Sequence, residues 1–79
     1  MVSKRLILVR ILRILQERGG LISDRELLEL LRREYDVSYT EFVSALMKLE
    51  VEGFIHVIPQ KEDVRVVKLR KGIRWHYPQ

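Results

Sequence analysis

The sequence predicts an α+β domain in which three helices are followed by a two-stranded β-hairpin. Three observations support this fold class. Apolar residues recur with a helical period over residues 3–18, two Ser-x-x-Glu motifs begin at Ser23 and Ser38, and the segments after Gly53 are rich in residues that favour strands. The order of these elements predicts helices first and a hairpin last.

The first predicted helix covers residues 3–18 and ends at the glycine pair 19–20. Its apolar side chains form one broad arc of Ile7, Leu8, Ile11, Leu12, Ile14 and Leu15. Leu6 and Val9 fall outside this arc, so the apolar surface is wider than one core-facing stripe requires. We therefore expect the first helix to form the interface of a homodimer.

The second predicted helix begins at Ser23, where Ser23 and Glu26 have the spacing of a capping box. Ile22 and Leu27 occupy the positions of a hydrophobic staple around that box. Residues 21–22 are apolar and are compatible with a short first strand. The polar residues that follow the leucine-rich face predict an end to this helix near Tyr35.

The third predicted helix repeats this pattern, with a capping box at Ser38 and Glu41. Its buried face is expected to consist of Phe42, Ala45, Leu46 and Leu49. Gly53 is expected to end it. Only about three residues separate the second helix from the third, which predicts a sharp turn between them.

The hairpin is predicted from two β-prone segments, 54–58 and 64–70, on either side of a turn-like stretch at 59–63. Val66 and Val67 are adjacent and both apolar. This interrupts the alternation of a strand with one solvated face, and predicts a bulge or a strand partly buried on both faces.

The length of 79 residues is that of one small domain. We assign residues 1–70 to this domain and residues 71–79 to a basic and aromatic C-terminal tail. Cysteine and asparagine are absent, a composition typical of a reducing compartment and of thermophilic proteins. No apolar run approaches the roughly 20 residues of a membrane span. The expectation is a cytoplasmic protein without a membrane partner.

Positive charge is concentrated at the two ends of the chain. Residues 1–18 and 59–79 each carry a net charge of +4, whereas 19–37 and 38–58 each carry −2. A basic segment that also contains Trp75 suits nucleic acid, because cations neutralise phosphates and aromatic rings stack on bases. The distribution therefore favours a polyanionic partner for the ends and not for the middle.

The sequence contains no recognisable catalytic or metal-binding motif. His56 and His76 are twenty residues apart, with no cysteine or further histidine beside them. Gly19 and Gly20 lack the pattern of a phosphate-binding loop, and no local motif places a histidine to activate a serine. We expect no enzyme activity, no metal and no cofactor.

The segment from Phe42 to Ile55, FVSALMKLEVEGFI, resembles the third helix and first wing strand of the winged helix-turn-helix superfamily. Members typically show Leu-x-x-Leu-x-x-x-Gly followed by two apolar residues there. The resemblance extends over residues 3–70 and includes small DNA-binding regulators of the archaeal type. It implies a fold more specifically than a function.

The resemblance implies that the third helix enters the major groove of double-stranded DNA and that the wing contacts the backbone. The candidate base contacts are Tyr39, Thr40, Ser44 and Lys48. The candidate backbone contacts are Lys61, Arg65, Lys68, Arg70, Lys71 and Arg74. The first hypothesis is therefore a homodimeric, DNA-binding transcriptional regulator or chromatin-associated factor.

The third helix also supports an alternative. Val43, Met47 and Val51 fall on its outward side, only Lys48 supplies a positive charge there, and three glutamates lie on the same helix. An apolar stripe suits protein association better than phosphate contact. The second hypothesis is a winged-helix protein-interaction module, an accessory subunit of a larger complex.

Overall fold

The computed structural model describes residues 3–70. Its elements in chain order are α1 (Lys4–Glu17), β1 (Leu21–Ser23), α2 (Asp24–Arg32), α3 (Tyr39–Val51), β2 (Ile55–Lys61) and β3 (Val64–Leu69). The predicted α+β class is confirmed, and the topology is compatible with a winged helix. The tail predicted at 71–79, with Lys71 and Arg74, lies outside the described residues.

α1 begins and ends where the sequence predicts. The Ser3 hydroxyl accepts a hydrogen bond from the Arg5 backbone N–H at 3.2 Å, which caps the N-terminus. At the other end Gly19 takes a φ of 77°, and the Gly20 N–H donates to the Leu15 carbonyl at 2.7 Å. This left-handed turn directs the chain from α1 into β1.

The predicted capping box of α2 is half formed. The Ser23 hydroxyl accepts from the Glu26 N–H at 3.2 Å, as expected. The Glu26 carboxylate, however, forms an ion pair with the Arg18 guanidinium. Ser23 also belongs to β1, where it is the partner of Val66. Glu26 therefore ties α2 to the end of α1, a role that the motif did not predict.

α2 ends at Arg32, three residues before the predicted end near Tyr35. The Arg32 Nε donates a hydrogen bond to the Val37 carbonyl at 3.0 Å. Val37 is itself buried, with 3% of its surface exposed. Beyond Arg32 the chain continues in hydrogen-bonded turns, and the Tyr35 N–H donates to the Leu31 carbonyl at 2.9 Å, before the chain turns inward to bury Val37.

The sheet has three antiparallel strands in the order β1-β3-β2, so β3 is central. The short strand predicted at 21–22 is confirmed and joins the hairpin to the region before α2. Ile22 and Val57 are both partners of Val67, the fully buried residue of β3. Val66 is partly buried on the opposite face, which confirms the expectation for β3.

The turn predicted at 59–63 is wrong. β2 continues through Lys61, and only residues 62–63 form the turn. A register shift between Pro59 and Lys61 leaves Gln60 as a bulge, so the irregularity lies in β2 and not at Val66. Pro59 is tolerated because β2 is an edge strand of this sheet and a missing N–H costs no ladder bond on that side.

All three helices pack on one face of the sheet around a single core. Its largest fully buried side chains are Ile11, Leu15, Leu27, Leu31, Phe42, Leu49, Ile55 and Val67. Every residue predicted for the buried face of the third helix is in this core. Burial of that face determines which side of α3 points outward.

Candidate nucleic-acid interface

α3 begins at a complete capping box. The Ser38 hydroxyl accepts from the Glu41 N–H at 3.0 Å, and the Glu41 carboxylate accepts from the Ser38 N–H at 2.9 Å. The pKa of Glu41 lies below its usual value, first because of the hydrogen bond with the Ser38 backbone and second because of the hydrogen bond with the Ser38 side chain. The positive charge of Lys4 adds to the effect. Glu41 is therefore a capping group at the positive end of the helix.

The outermost line of α3 consists of four exposed side chains that we call the α3 ridge: Thr40, Ser44, Met47 and Val51. Its first half presents two hydroxyls. Its second half is apolar, since Met47 is 60% exposed and Val51 is 85% exposed. Groups suited to base edges and groups suited to a protein surface thus follow each other along one helix.

One groove separates α3 from α1 and has a volume of about 240 Å³. Three of the four predicted base contacts, Thr40, Ser44 and Lys48, line it together with Lys4 of α1. Lys4 forms no ion pair with any residue in the range 3–70. The first helix therefore contributes a cation to this side of the α3 ridge.

A second groove, of about 350 Å³, lies between α3 and the wing, the hairpin of β2 and β3. Tyr39, Val43, Met47 and Arg65 line it. The Arg65 side chain, like that of Lys4, makes no ion pair within the described part of the chain. Tyr39 is 56% exposed beside it. The structure thus divides the predicted base contacts, with Tyr39 on the wing side.

The remaining carboxylates of α3 also have structural partners. Glu50 accepts a hydrogen bond from the Val57 backbone N–H at 3.0 Å, on the edge of β2 that no strand covers. Glu52 pairs with Lys48 at 3.2 Å. The first contact attaches the wing to α3. The second partly neutralises Lys48, the cation that the sequence placed nearest to the bases.

The six predicted backbone cations do not form one cluster. Arg65 points toward α3, whereas strand alternation places Lys68 on the opposite face of the sheet, and Lys61 lies there too as the partner of Val64. The Arg70 guanidinium donates to the Gly53 carbonyl at 3.4 Å. Lys71 and Arg74 are outside the described range. Arg65 is thus the wing cation that accompanies the α3 ridge.

The tip of the wing is acidic and is held against α2. Asp63 pairs with Arg25 at 2.6 Å, although both side chains are well exposed. The Arg65 backbone N–H also donates to the Asp24 carboxylate at 3.3 Å. Two contacts to the first turn of α2 therefore determine where the wing lies, and the turn residues 62–63 are both acidic, with Lys61 as the adjacent cation.

The predicted dimer residues lie on the outer side of α1. Leu6 is 51% exposed and Val9 is partly exposed, while the next residues, Ile7 and Leu8, line the groove toward α3. Leu6 and Val9 are therefore available to a second subunit without covering the α3 ridge.

Sequence reasoning did not identify Lys4 as a site residue. Its positive charge was visible, but no pattern in the chain indicates which end of α1 lies against the N-terminal half of α3. The separation of Arg65 from Lys68 had a signal: the two residues are an odd number of positions apart in one strand and must therefore face opposite sides.

Within residues 3–70 no group of three histidine, cysteine, aspartate or glutamate side chains is placed to hold a metal ion. No helix in that range is long and apolar enough to cross a bilayer. Comparison of the chain with protein-family models, with curated proteins and with solved structures found no match.

Proposed function

We propose that this chain is a winged helix-turn-helix domain that binds double-stranded DNA with α3 in the major groove. One observation carries the proposal. The hydroxyl-bearing half of the α3 ridge lies between two cations from other elements, Lys4 of α1 and Arg65 of β3, and neither forms an ion pair in the described residues, although the charge of Lys4 acts on the nearby Glu41. A helix flanked by unpaired cations suits a groove bordered by two phosphate backbones.

Each side chain has a distinct role in this arrangement. Thr40 and Ser44 offer hydroxyls to base edges, which accept or donate hydrogen bonds with little selectivity. Lys48 extends beyond them, and Tyr39 offers an exposed ring and hydroxyl to the sugar-phosphate backbone. Lys4 and Arg65 neutralise phosphates on either side. In this role the chain is a transcriptional regulator or a chromatin-associated factor.

The affinity expected from this site is modest. Three cations, Lys4, Lys48 and Arg65, can approach phosphates, and one of them has a carboxylate partner. About three phosphate contacts give a slope of about −2.7 for log affinity against log salt concentration. Binding is therefore expected to weaken about 40-fold between about 0.05 M and about 0.2 M salt.

The test is a titration of a fluorescently labelled duplex of about 20 base pairs with the full chain, followed by anisotropy over that range of salt. Binding with the expected slope supports the proposal. Absence of binding at the lowest salt, or binding with no salt dependence, would overturn it, because phosphate contact always releases counterions.

A second function, protein association through α3, is favoured by a separate observation. Met47 and Val51 are the two most exposed large apolar side chains of the described residues, and Val43 lies beside Met47 in the groove toward the wing. Exposed apolar groups one turn apart suit an interface. On this proposal the chain is an accessory subunit that docks through Val43, Met47 and Val51.

A photo-reactive amino acid at position 47 tests the second function in a lysate of the cells that make the protein. A discrete cross-linked species is expected at position 47 and not at position 29, where Glu29 is an exposed residue of α2. Equal cross-linking from the two positions would contradict a specific interface on α3. Salt-dependent DNA binding without a cross-linked species would support the first function and contradict the second.

A further inference from the structure

The sheet has a second face that the helices do not cover. Val67 and Ile55 are fully buried on the helix side, and strand alternation directs their neighbours away from the core. We call the opposite side the outer sheet face, defined by Leu21, Ser23, His56, Ile58, Lys61, Val64, Val66 and Lys68. Four of these residues, Leu21, Ile58, Val66 and Lys68, line a shallow depression of about 830 Å³ together with Gln60 and the α1–β1 turn.

This face is more apolar than a solvated sheet face requires. Leu21 is 54% exposed and Ile58 is 43% exposed, and Val66 lies directly opposite Ile58 in the ladder. An antiparallel sheet with one side in water normally shows polar residues on that side. Val66 and Ile58 are direct partners, and Leu21 is their diagonal neighbour on β1, because the direct partner of Leu21 is Lys68 and that of Val66 on β1 is Ser23.

The charge of the outer sheet face is of one sign. Lys68 stands at its centre and Lys61 near the wing tip, and neither forms an ion pair within residues 3–70. The strand pairing places no carboxylate side chain on this face. An apolar surface with unpaired cations complements an apolar surface bordered by carboxylates.

The size of the face selects the kind of partner. Three strands about 4.8 Å apart span about 10 Å, which is the diameter of one α-helix. Six residues of strand give a length of about 20 Å and hence an area of about 200 Å². A stable protein interface buries about 800 Å² on each partner, so this face alone supports weak binding, and its dimensions match one helix.

We propose that the outer sheet face binds one amphipathic, acidic helix of a partner protein. The apolar stripe of that helix covers Leu21, Val66 and Ile58, and carboxylates on its flanks reach Lys68 and Lys61. The α3 ridge is on the other side of the sheet, so this interaction leaves it open. It does not depend on the proposed DNA binding.

The test uses the full chain labelled with ¹⁵N and two synthetic helical peptides of 14 residues. Both peptides carry the same leucine stripe, and their flanking positions are glutamate in one and lysine in the other. The glutamate peptide is expected to shift the backbone amide signals of Leu21, Ile58 and Val66, and to leave those of Thr40 and Ser44 unchanged. The lysine peptide is expected to bind at least fivefold more weakly.

A matched pair of variants lies on the same strand. Lys68→Gln is expected to weaken binding of the glutamate peptide about twofold to fivefold, within the range of one exposed ion pair. Arg65→Gln removes a charge from the opposite side of β3 and is expected to leave the affinity unchanged. Unchanged positions of the amide signals outside the substituted strand show that each variant is folded.

Several results would overturn the proposal. They are equal binding of the two peptides, equal effects of the two variants, or no shift of the amide signals at about 1 mM peptide. A Kd of about 1 mM corresponds to a binding free energy of about −4 kcal/mol. Shifts of the same amides on dilution of the free protein assign the face to a second copy. If duplex DNA shifts the same amide signals, the face binds nucleic acid. If the Trp75→Ala variant shifts them, the face binds the chain's own tail.

Discussion

The arrangement of Lys4 and Arg65 on either side of α3 makes a quantitative prediction about DNA affinity. Substituting either residue by glutamine removes one phosphate contact and lowers the salt slope by about 0.9. Because this contribution scales with the logarithm of salt concentration, the loss is about 15-fold at about 0.05 M salt and about fourfold at about 0.2 M. The two grooves are separate, so the effects are expected to add in the double variant.

The assay is the anisotropy titration at four or more salt concentrations, with Lys68→Gln as the control. Lys68 belongs to the same strand as Arg65 and faces the other side of the sheet. Its substitution is expected to leave the slope unchanged. If Lys68→Gln lowers the slope as much as Arg65→Gln does, the charge of the whole domain drives binding and the placement of α3 in the groove is wrong.

Three further predictions concern the fold and its assembly. Gly53→Ala is expected to destabilise the domain by about 1–2 kcal/mol in urea unfolding, because the φ of 87° is strained for alanine, whereas the Arg70 guanidinium, 2.9 Å from a Cβ, can move aside; an unchanged urea midpoint would contradict this. Glu41→Gln is expected to cost stability at neutral pH, and the difference should shrink as the pH falls below 4.5, because the folded carboxyl has the lower pKa and its contribution is lost on protonation; a difference that does not change with pH would count against it. Sedimentation equilibrium is expected to give a dimer that Leu6→Lys dissociates, and a 9.5 kDa species for the unsubstituted chain at micromolar concentration would refute the dimer.

Local signals predicted the helices well and their tertiary partners poorly. The motif at Ser38 predicts a reciprocal pair of hydrogen bonds, and both are present, because no cation forms an ion pair with Glu41 in the described residues. The same motif at Ser23 forms only one bond, since the Arg18 guanidinium lies within reach of Glu26. A four-residue pattern carries no information about a side chain eight positions earlier.

Only part of the candidate site could be predicted, because local patterns do not show which distant residues pack together. The exposed side of α3 follows from the burial of Phe42 and Leu49, which a helical period reveals. The proximity of Lys4 to Thr40 depends on how α1 packs across α3, and periodicity does not contain that information. The hairpin prediction was wrong at Pro59 because residues 59–63 have the composition of a turn. An edge strand can nevertheless contain a proline, and β2 does.

The central position of β3 has a consequence for how the domain folds. β1 and β2 are each paired with β3 and not with each other, and β3 is the last described element along the chain. Residues 21–23 can therefore form their strand pairing only with residues 66–68, which lie more than forty positions later in the chain. During synthesis the helices can emerge and collapse together, but no two-stranded unit can exist before β3 appears. The described sheet then forms in one late step, which makes the stability of the domain depend on β3.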